Sequence, residues 1–281
     1  MVLAAIAART SHIRLGTAVT VLSTDDPVRV AERFSTLNAL SDGRAEVVVG
    51  RGSFTESYGL FGFDMADYDR LFEEKLDVLV RMLRQPSVTW QGQTRAPLNE
   101  ARLFPTLAPQ GMPIWVGVGG SPESVIRVVR HDVQLMLAII GGNPARFRPF
   151  IDLYLDACSR MGRDPRPVGV HSPGFVAATD EAAVETFWPH WRDSNARIGR
   201  ERGWPAPTKD RYLAEIRGGS LYVGSPETVA RKIAATVKTL GLSHFELKYA
   251  TGPMPHEALM DCVRLYGEQV IPRVRALLAE G

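Results

Sequence analysis

Short apolar segments alternate with longer amphipathic segments along this chain, and that alternation restricts the fold more than any other feature. The segments AEVVVG (45–50), PIWVGV (113–118) and VQLMLAII (133–140) are continuous apolar runs, and each is followed by helical spacing. Continuous apolar runs are typical of strands in a parallel sheet that helices cover on both faces. The alternation therefore predicts an α/β protein built on a parallel sheet.

Further segments extend this pattern to about six strands, namely IRLGTAV (13–19), PVGVHSPGFVA (167–177) and HFELKYA (244–250). Residues 200–222 have neither strand nor helix spacing and are predicted to be irregular. No internal repeat or low-complexity linker divides the chain, so we expect one domain over residues 1–281. An open doubly wound sheet and a closed eight-stranded barrel both agree with the pattern.

Helix starts are marked by capping residues that precede proline. Asp26 stands before Pro27, and the following helix is expected to place Val30, Phe34, Leu37 and Leu40 on its inner face. The stretches SPES (121–124) and SPET (225–228) are two further starts of this kind. As helix starts the two stretches are equivalent.

Charge and motif content exclude several classes of protein. The 33 basic and 31 acidic residues leave a net charge of +2 without a block of like charges, which argues against nucleic-acid binding. The six histidines show no zinc-binding spacing, so no metal site is predicted. GxSxG and Walker motifs are absent, which removes the usual hydrolase and nucleotide-triphosphatase interpretations.

Cys158 and Cys262 lack CxxC spacing and are predicted to be free thiols of a reducing compartment. The first residues, MVLAAIAARTSHIRLG, have neither a basic leader nor a long apolar stretch, so we expect no signal peptide and no membrane span. A cytoplasmic enzyme is the resulting expectation.

A glycine pair distinguishes the first of the two proline-marked starts. Gly119 and Gly120 precede Ser121 in WVGVGGSPES (115–124), whereas VGSPET (223–228) has a single glycine. Glycines leave backbone N–H groups open at a helix amino end, which is an arrangement that holds phosphate. A simple turn is the alternative, and the charge of Glu123 opposes a phosphate unless it points away.

Other candidates lie at predicted strand ends. Arg51, in GRG (50–52), offers a forked cation to a phosphate, with a surface ion pair as the alternative. Thr17, Ala18 and Val19 are small enough to leave room for a flat ring, although tight packing explains them equally well. Ligands of parallel sheets bind beyond the carboxyl ends of strands, where these residues are expected.

His171 lies near a strand end and is a candidate acid–base group, with a structural histidine as the alternative. Trp188, Trp191 and Trp204 indicate either core packing or a substrate pocket.

Longer motifs resemble the bacterial luciferase-like monooxygenase family, and most closely its flavin-dependent oxidoreductase branch. IRLGTAVTVLSTDDPVRVAE, LSDGRAEVVVGRGSFTESYGLFGFD, PIWVGVGGSPES, LMLAIIGGNPARF and VGSPETVARKI occur in that family's order over essentially the whole chain. The resemblance implies a (β/α)8 TIM-barrel with an insertion near residues 185–222 that selects the substrate. It also implies a monooxygenase that uses reduced flavin mononucleotide (FMN) and molecular oxygen on a small organic substrate.

Carried over to this sequence, the resemblance assigns flavin-phosphate contacts to Arg51, Gly119, Gly120, Ser121 and Ser124. It places the flavin ring over Ala18 and Val19, where relatives have a non-proline cis peptide bond, and Thr17 precedes them as a further cofactor-binding candidate. It further implies a homodimer and a separate flavin reductase that supplies the reduced cofactor.

Relatives carry two more strand–helix units before LAAIAARTSHIRLG, which amounts to roughly sixty residues at about thirty for each unit. We therefore expect a barrel that is incomplete at the amino terminus, with an uncovered sheet edge. Two alternatives follow from the resemblance, a deazaflavin-dependent hydride-transfer enzyme and a non-catalytic flavin-binding truncated barrel. A barrel enzyme that acts on a sugar phosphate is a less favoured alternative.

Overall fold

The computed structural model describes residues 1–52 and 55–280. The chain divides into two compact units. The amino-terminal unit comprises residues 1–118 and 123–136, and the carboxy-terminal unit comprises residues 119–122 and those from 137 onward. The single-domain interpretation of the sequence stays a prediction.

The amino-terminal unit is a layered α/β structure. Its helices and strands, in chain order, are α1 Val2–Ala7, β1 Ala18–Val21, α2 Pro27–Leu40, β2 Val47–Gly50, α3 Glu56–Leu60, α4 Tyr68–Arg84, β3 Val88–Trp90, β4 Leu98–Ala101, β5 Ile114–Val118, α5 Pro122–Arg130 and β6 Gln134–Ala138. The first residue of α5 and the end of β6 belong to the other unit. Strands β1, β2 and β5 pair in parallel, and Val48 lies between Ala18 and Trp115.

Buried apolar side chains hold these layers together. All four residues of β2 are buried, as the continuous apolar run predicts. Helix α2 packs on α4 and begins as expected, because the Asp26 carboxylate accepts hydrogen bonds from the backbone N–H groups of Val28 and Arg29. Val30, Phe34 and Leu37 are buried. Full burial of a side chain of this kind stabilises the folded state by about 1.5–3 kcal/mol. The prediction for Leu40 is wrong, since this last residue of the helix is exposed.

The carboxy-terminal unit contains the remaining elements: α6 Arg148–Arg160, β7 Val168–Val176, α7 Asp180–Arg202, α8 Lys209–Gly218, β8 Tyr222–Gly224, α9 Pro226–Leu240, β9 His244–Lys248, α10 His256–Leu265 and α11 Ile271–Ala279. Strand β7 pairs in parallel with β8 and with β9. An aromatic cluster forms much of the core, in which Phe175 stacks on Phe187 and Trp191 contacts Tyr212. The packing interpretation of Trp191 is therefore confirmed.

The structure corrects three details of the sequence analysis. The segment 200–222 is not irregular, because it contains α8, in which Tyr212 is the one buried residue and so gives little periodicity. The first strand covers Ala18–Val21, and the preceding Leu15 makes an isolated bridge to Ala45. The hairpin β3–β4 and the short strand β8 were not expected, because each is too short to form a recognisable apolar run. Among the described residues, no helix is both long and apolar enough to cross a membrane.

Candidate functional site

Arg51 follows the last residue of β2 and reaches the amino end of α5. Its Nη2 donates a hydrogen bond of 3.3 Å to Oγ of Ser124, the third residue of α5. Its Nη1 donates to the Asp69 carboxylate at 2.8 Å, and its guanidinium lies 4.8 Å from the centroid of the Tyr68 ring. The structure thus brings together two of the predicted phosphate-binding residues, Arg51 and Ser124.

A second guanidinium converges on the same serine. Arg127 is 8% exposed, donates from Nη1 to Ser124 Oγ at 3.3 Å, and forms an ion pair with Glu73. A hydroxyl oxygen has two lone pairs, so two N–H donors at Ser124 direct the hydroxyl hydrogen towards an acceptor. Ser124 and the two guanidinium groups therefore form one hydrogen-bonded cluster near the start of α5.

Glu73 balances the charge of Arg127. Burial raises the pKa of Glu73, but hydrogen bonds from Arg127 and His131 outweigh it and hold the pKa below its usual value. Glu73 also pairs with Arg130. The ionised carboxylate keeps Arg127 fixed next to Ser124.

Gly119, Gly120 and Ser121 directly precede α5 in the chain. Gly120 has a φ of +110°, a conformation that side-chain-bearing residues rarely adopt. A Cβ atom added to Gly119 would meet nothing within 4 Å, so the backbone is uncovered there. Ser121 stands immediately before Pro122, the first residue of α5, as the helix-start signal predicts.

Val19 forms an exposed apolar surface on β1. It is 38% exposed, and the peptide bond between Ala18 and Val19 is cis, as the resemblance implies. Cβ atoms added to Gly50 of β2 and Gly117 of β5 would lie 3.0 and 3.4 Å from the Val19 side chain. The two glycines therefore make room for Val19. Thr17 donates to the carbonyl of Val48, which ties this segment to β2.

His171 lies in β7 beside Glu246 of β9, and the two residues are aligned in the parallel pairing. Its Nδ1 is 3.1 Å from Oε2 of Glu246, while Nε2 of His244 is 3.4 Å from Oε1 of the same carboxylate. Burial raises the pKa of Glu246, but the hydrogen bonds from the two histidines lower it to about 2. An ionised Glu246 accepts the hydrogen bond from Nδ1 of His171 and so fixes the orientation of the imidazole ring.

Several residues of these clusters were not expected from the sequence. Arg127 follows Ser124 by three positions, and that spacing on a helix does indicate a shared face. Asp69, Glu73 and Glu246 come from distant segments and carry no local signal. No group of three or more His, Cys, Asp or Glu residues could hold a metal ion within the described part of the chain.

This chain is similar in sequence to several curated proteins. The family model for luciferase-like monooxygenases matches residues 1–244. The alkanal monooxygenase alpha chain of Photorhabdus luminescens is 26% identical over 66% of this chain and 52% of its own length. The 4-hydroxyprotoasukamycin monooxygenase of Streptomyces nodosus subsp. asukaensis is 36% identical over 70% of this chain and 45% of its own length. This chain therefore spans about half the length of these two relatives.

Solved structures share the fold. The monooxygenase RslO1 of Streptomyces bottropensis has a TM-score of 0.79 and 25% identity, covering 96% of this chain and 81% of its own. The oxygenating constituent of 3,6-diketocamphane monooxygenase of Pseudomonas putida, solved with FMN, has a TM-score of 0.74, 16% identity, and coverage of 97% and 82%. An F420-dependent secondary alcohol dehydrogenase has a TM-score of 0.72, 20% identity, and coverage of 96% and 82%. The last two likenesses concern the fold alone.

Proposed function

Because this chain belongs to the luciferase-like monooxygenase family, we propose that it is a flavin-dependent monooxygenase acting on a small organic substrate. In this proposal reduced FMN and molecular oxygen are the co-substrates. The observation that carries the proposal is the Arg51 guanidinium, which reaches the first turn of α5 at Ser124. A guanidinium group and a helix amino end together suit the phosphate of FMN.

The residues present fit this cofactor at both of its ends. Arg51 and Ser124 would bind the phosphate. Gly119, Gly120 and Ser121 stay predicted phosphate contacts that the resemblance implies. The exposed apolar surface of Val19, next to Ala18 and Thr17, would support the flat face of the ring system. When bound, FMN supplies the oxygen chemistry, while the protein orients the cofactor and the substrate.

His171 is the proposed acid–base residue. Glu246 holds its Nδ1–H, so Nε2 can accept a proton from a reacting group and return it. The proposal also includes a separate flavin reductase as the source of reduced FMN, and a homodimer.

A deazaflavin-dependent hydride-transfer enzyme is the second candidate. The likeness to the F420-dependent secondary alcohol dehydrogenase supports it, because the two folds agree over 96% of this chain. In both candidates we assign Arg51 to the cofactor phosphate, so the candidates differ in the cofactor ring and in the use of oxygen.

Titration of the purified chain with FMN, riboflavin and F420 distinguishes these candidates. We expect FMN to bind at least tenfold more tightly than riboflavin, because charge-assisted hydrogen bonds to a phosphate contribute about 1.5–3 kcal/mol. With chemically reduced FMN, the rate of oxygen consumption should differ from that of free reduced FMN, which oxygen oxidises without any protein. Equal affinities for FMN and riboflavin would contradict the phosphate assignment, and tight F420 binding without oxygen consumption would favour the second candidate.

A further inference from the structure

Among the described residues, Tyr68 and Ser124 hold the Arg51 guanidinium in place without neutralising its charge. The Tyr68 ring lies against the guanidinium, and Ser124 accepts a hydrogen bond from Nη2. The Tyr58 hydroxyl donates at 3.3 Å to the carbonyl of Arg51, which fixes the backbone. An aromatic ring and two hydroxyl groups leave the positive charge available to an anion.

Asp69 is different, because its carboxylate pairs with Nη1 of Arg51 at 2.8 Å. Its side chain is 75% exposed, whereas that of Arg51 is 27% exposed. Water competes well for a carboxylate that is so exposed, and ion pairs of this kind contribute about 0.2–1 kcal/mol. The pair is therefore weak enough for a more highly charged anion to displace the carboxylate.

The neighbouring pair of Arg127 and Glu73 shows the contrast. Arg127 is buried, and Glu73 also binds Arg130 and His131, so this carboxylate is held from several sides. Removing Glu73 would leave a buried charge without its partner, which is costly. Of the two arginines that contact Ser124, Arg51 is therefore the one whose paired carboxylate, Asp69, another anion can displace.

We propose that Asp69 competes with the cofactor phosphate for Arg51 and so sets the affinity for flavin below the value that the site would otherwise reach. The inference rests on the proposed function. Two anions cannot both take Nη1 without repulsion, so phosphate binding requires that Asp69 withdraw. A limited affinity suits an enzyme whose flavin arrives reduced and leaves oxidised in each turnover, because the cofactor must dissociate.

The test is the affinity of the Asp69→Asn variant for FMN, measured by titration at low and high ionic strength. We expect FMN to bind about two- to fivefold more tightly than to the wild type, which corresponds to an exposed ion pair. The gain should shrink at high salt, because exposed charges are screened. Affinity for riboflavin, which lacks the phosphate, should stay unchanged.

Asp67→Asn is the matched control. Asp67 is a nearby acidic residue that pairs with Arg70 rather than with Arg51, so its replacement removes the same charge without freeing Arg51. We expect at most a small change in FMN affinity for this variant. Asp69→Ser provides a second replacement and should act as Asp69→Asn does, which guards against a local folding defect in one variant.

The outcomes separate this inference from the proposed function. If the wild type binds FMN but both Asp69 variants bind it no more tightly, the inference is overturned and the proposed function stands. An equal gain in Asp67→Asn overturns it too, because the effect would then be one of net charge. A wild type that binds no FMN overturns both.

Discussion

Two helices of this protein begin with nearly the same four residues, yet their amino ends are occupied in opposite ways. At α9, which follows Ser225, the Asp180 carboxylate accepts hydrogen bonds from the Ser225 backbone N–H at 2.6 Å and from the Thr228 hydroxyl at 2.9 Å. At α5, Ser124 occupies the position that corresponds to Thr228, and its hydroxyl accepts hydrogen bonds from Arg51 and Arg127. The start of α9 therefore contacts a carboxylate directly, whereas the start of α5 contacts two guanidinium groups.

The comparison shows that the local sequence determines where a helix begins. A residue that is distant in the sequence determines which group contacts the amino end of that helix. Ser225 caps α9 by accepting from the Thr228 backbone N–H, and the hydrogen bond from Ser225 lowers the pKa of Asp180. Because Asp180 is ionised at neutral pH, it supplies the negative charge that a helix amino end favours. The Asp180 carboxylate thus completes the start of α9, whereas the start of α5 is where we propose that a ligand binds.

The largest expected effect is on Arg51. Arg51→Gln should weaken FMN binding about ten- to a hundredfold, because it removes the charge-assisted hydrogen bonds to the phosphate. Titration with FMN and with riboflavin measures this, and riboflavin affinity should be unchanged. Arg273→Gln is the matched control, since Arg273 pairs with Glu227 in the first turn of α9. Equal losses in both variants would contradict the distinction between the two starts.

A smaller effect is expected at Asp180. Asp180→Asn should lower the free energy of unfolding by about 1 kcal/mol while leaving FMN affinity unchanged, because it weakens the start of α9. Urea denaturation at pH 7 measures the loss, with the exposed Asp193→Asn as control.

The pH dependence of this loss has a definite sign. Since the pKa of Asp180 is lowered in the folded state, its stabilisation is present above the unfolded pKa of about 4 and is lost as the pH falls towards the folded value. The stability difference between the wild type and Asp180→Asn should therefore begin to shrink as the pH falls below about 4, and it should vanish once the pH is below the folded pKa. A difference that persists there would show that Asp180 stabilises the fold by some means other than its charge.

The smallest effects distinguish the two hydroxyl groups. Ser124→Ala should weaken FMN binding about two- to tenfold through loss of one donor to the phosphate, whereas Thr228→Ala should not change it. The same titration measures both variants. If Thr228→Ala weakened FMN binding as much as Ser124→Ala, the two helix starts would not differ in function.

The sequence was sufficient for features that depend on neighbouring residues. Helix starts at Pro27, Pro122 and Pro226 were located by capping signals that span three or four positions, and the main strands by their apolar runs. The predicted fold class, a (β/α)8 TIM-barrel of the luciferase-like type, is confirmed at the level of a mostly parallel α/β fold shared with such proteins. The proximity of Arg51 to α5 was predictable because the carboxyl ends of parallel strands lie at the same edge of a sheet.

What the sequence could not provide is the set of partners at those ends. Asp180 is 45 residues from Ser225, and Arg51 is 73 residues from Ser124, so no local pattern relates them. Asp69 and Glu246 were missed for the same reason. Helix α8 was missed because a helix with a single buried side chain has almost no apolar periodicity.

The most direct test of the account is a crystal structure of the chain with FMN bound. Phosphate oxygens should lie within hydrogen-bond distance, about 2.7–3.2 Å, of the Arg51 guanidinium and the Ser124 hydroxyl, and Asp69 should be withdrawn from Nη1. A phosphate located elsewhere, with Arg51 still paired to Asp69, would contradict it.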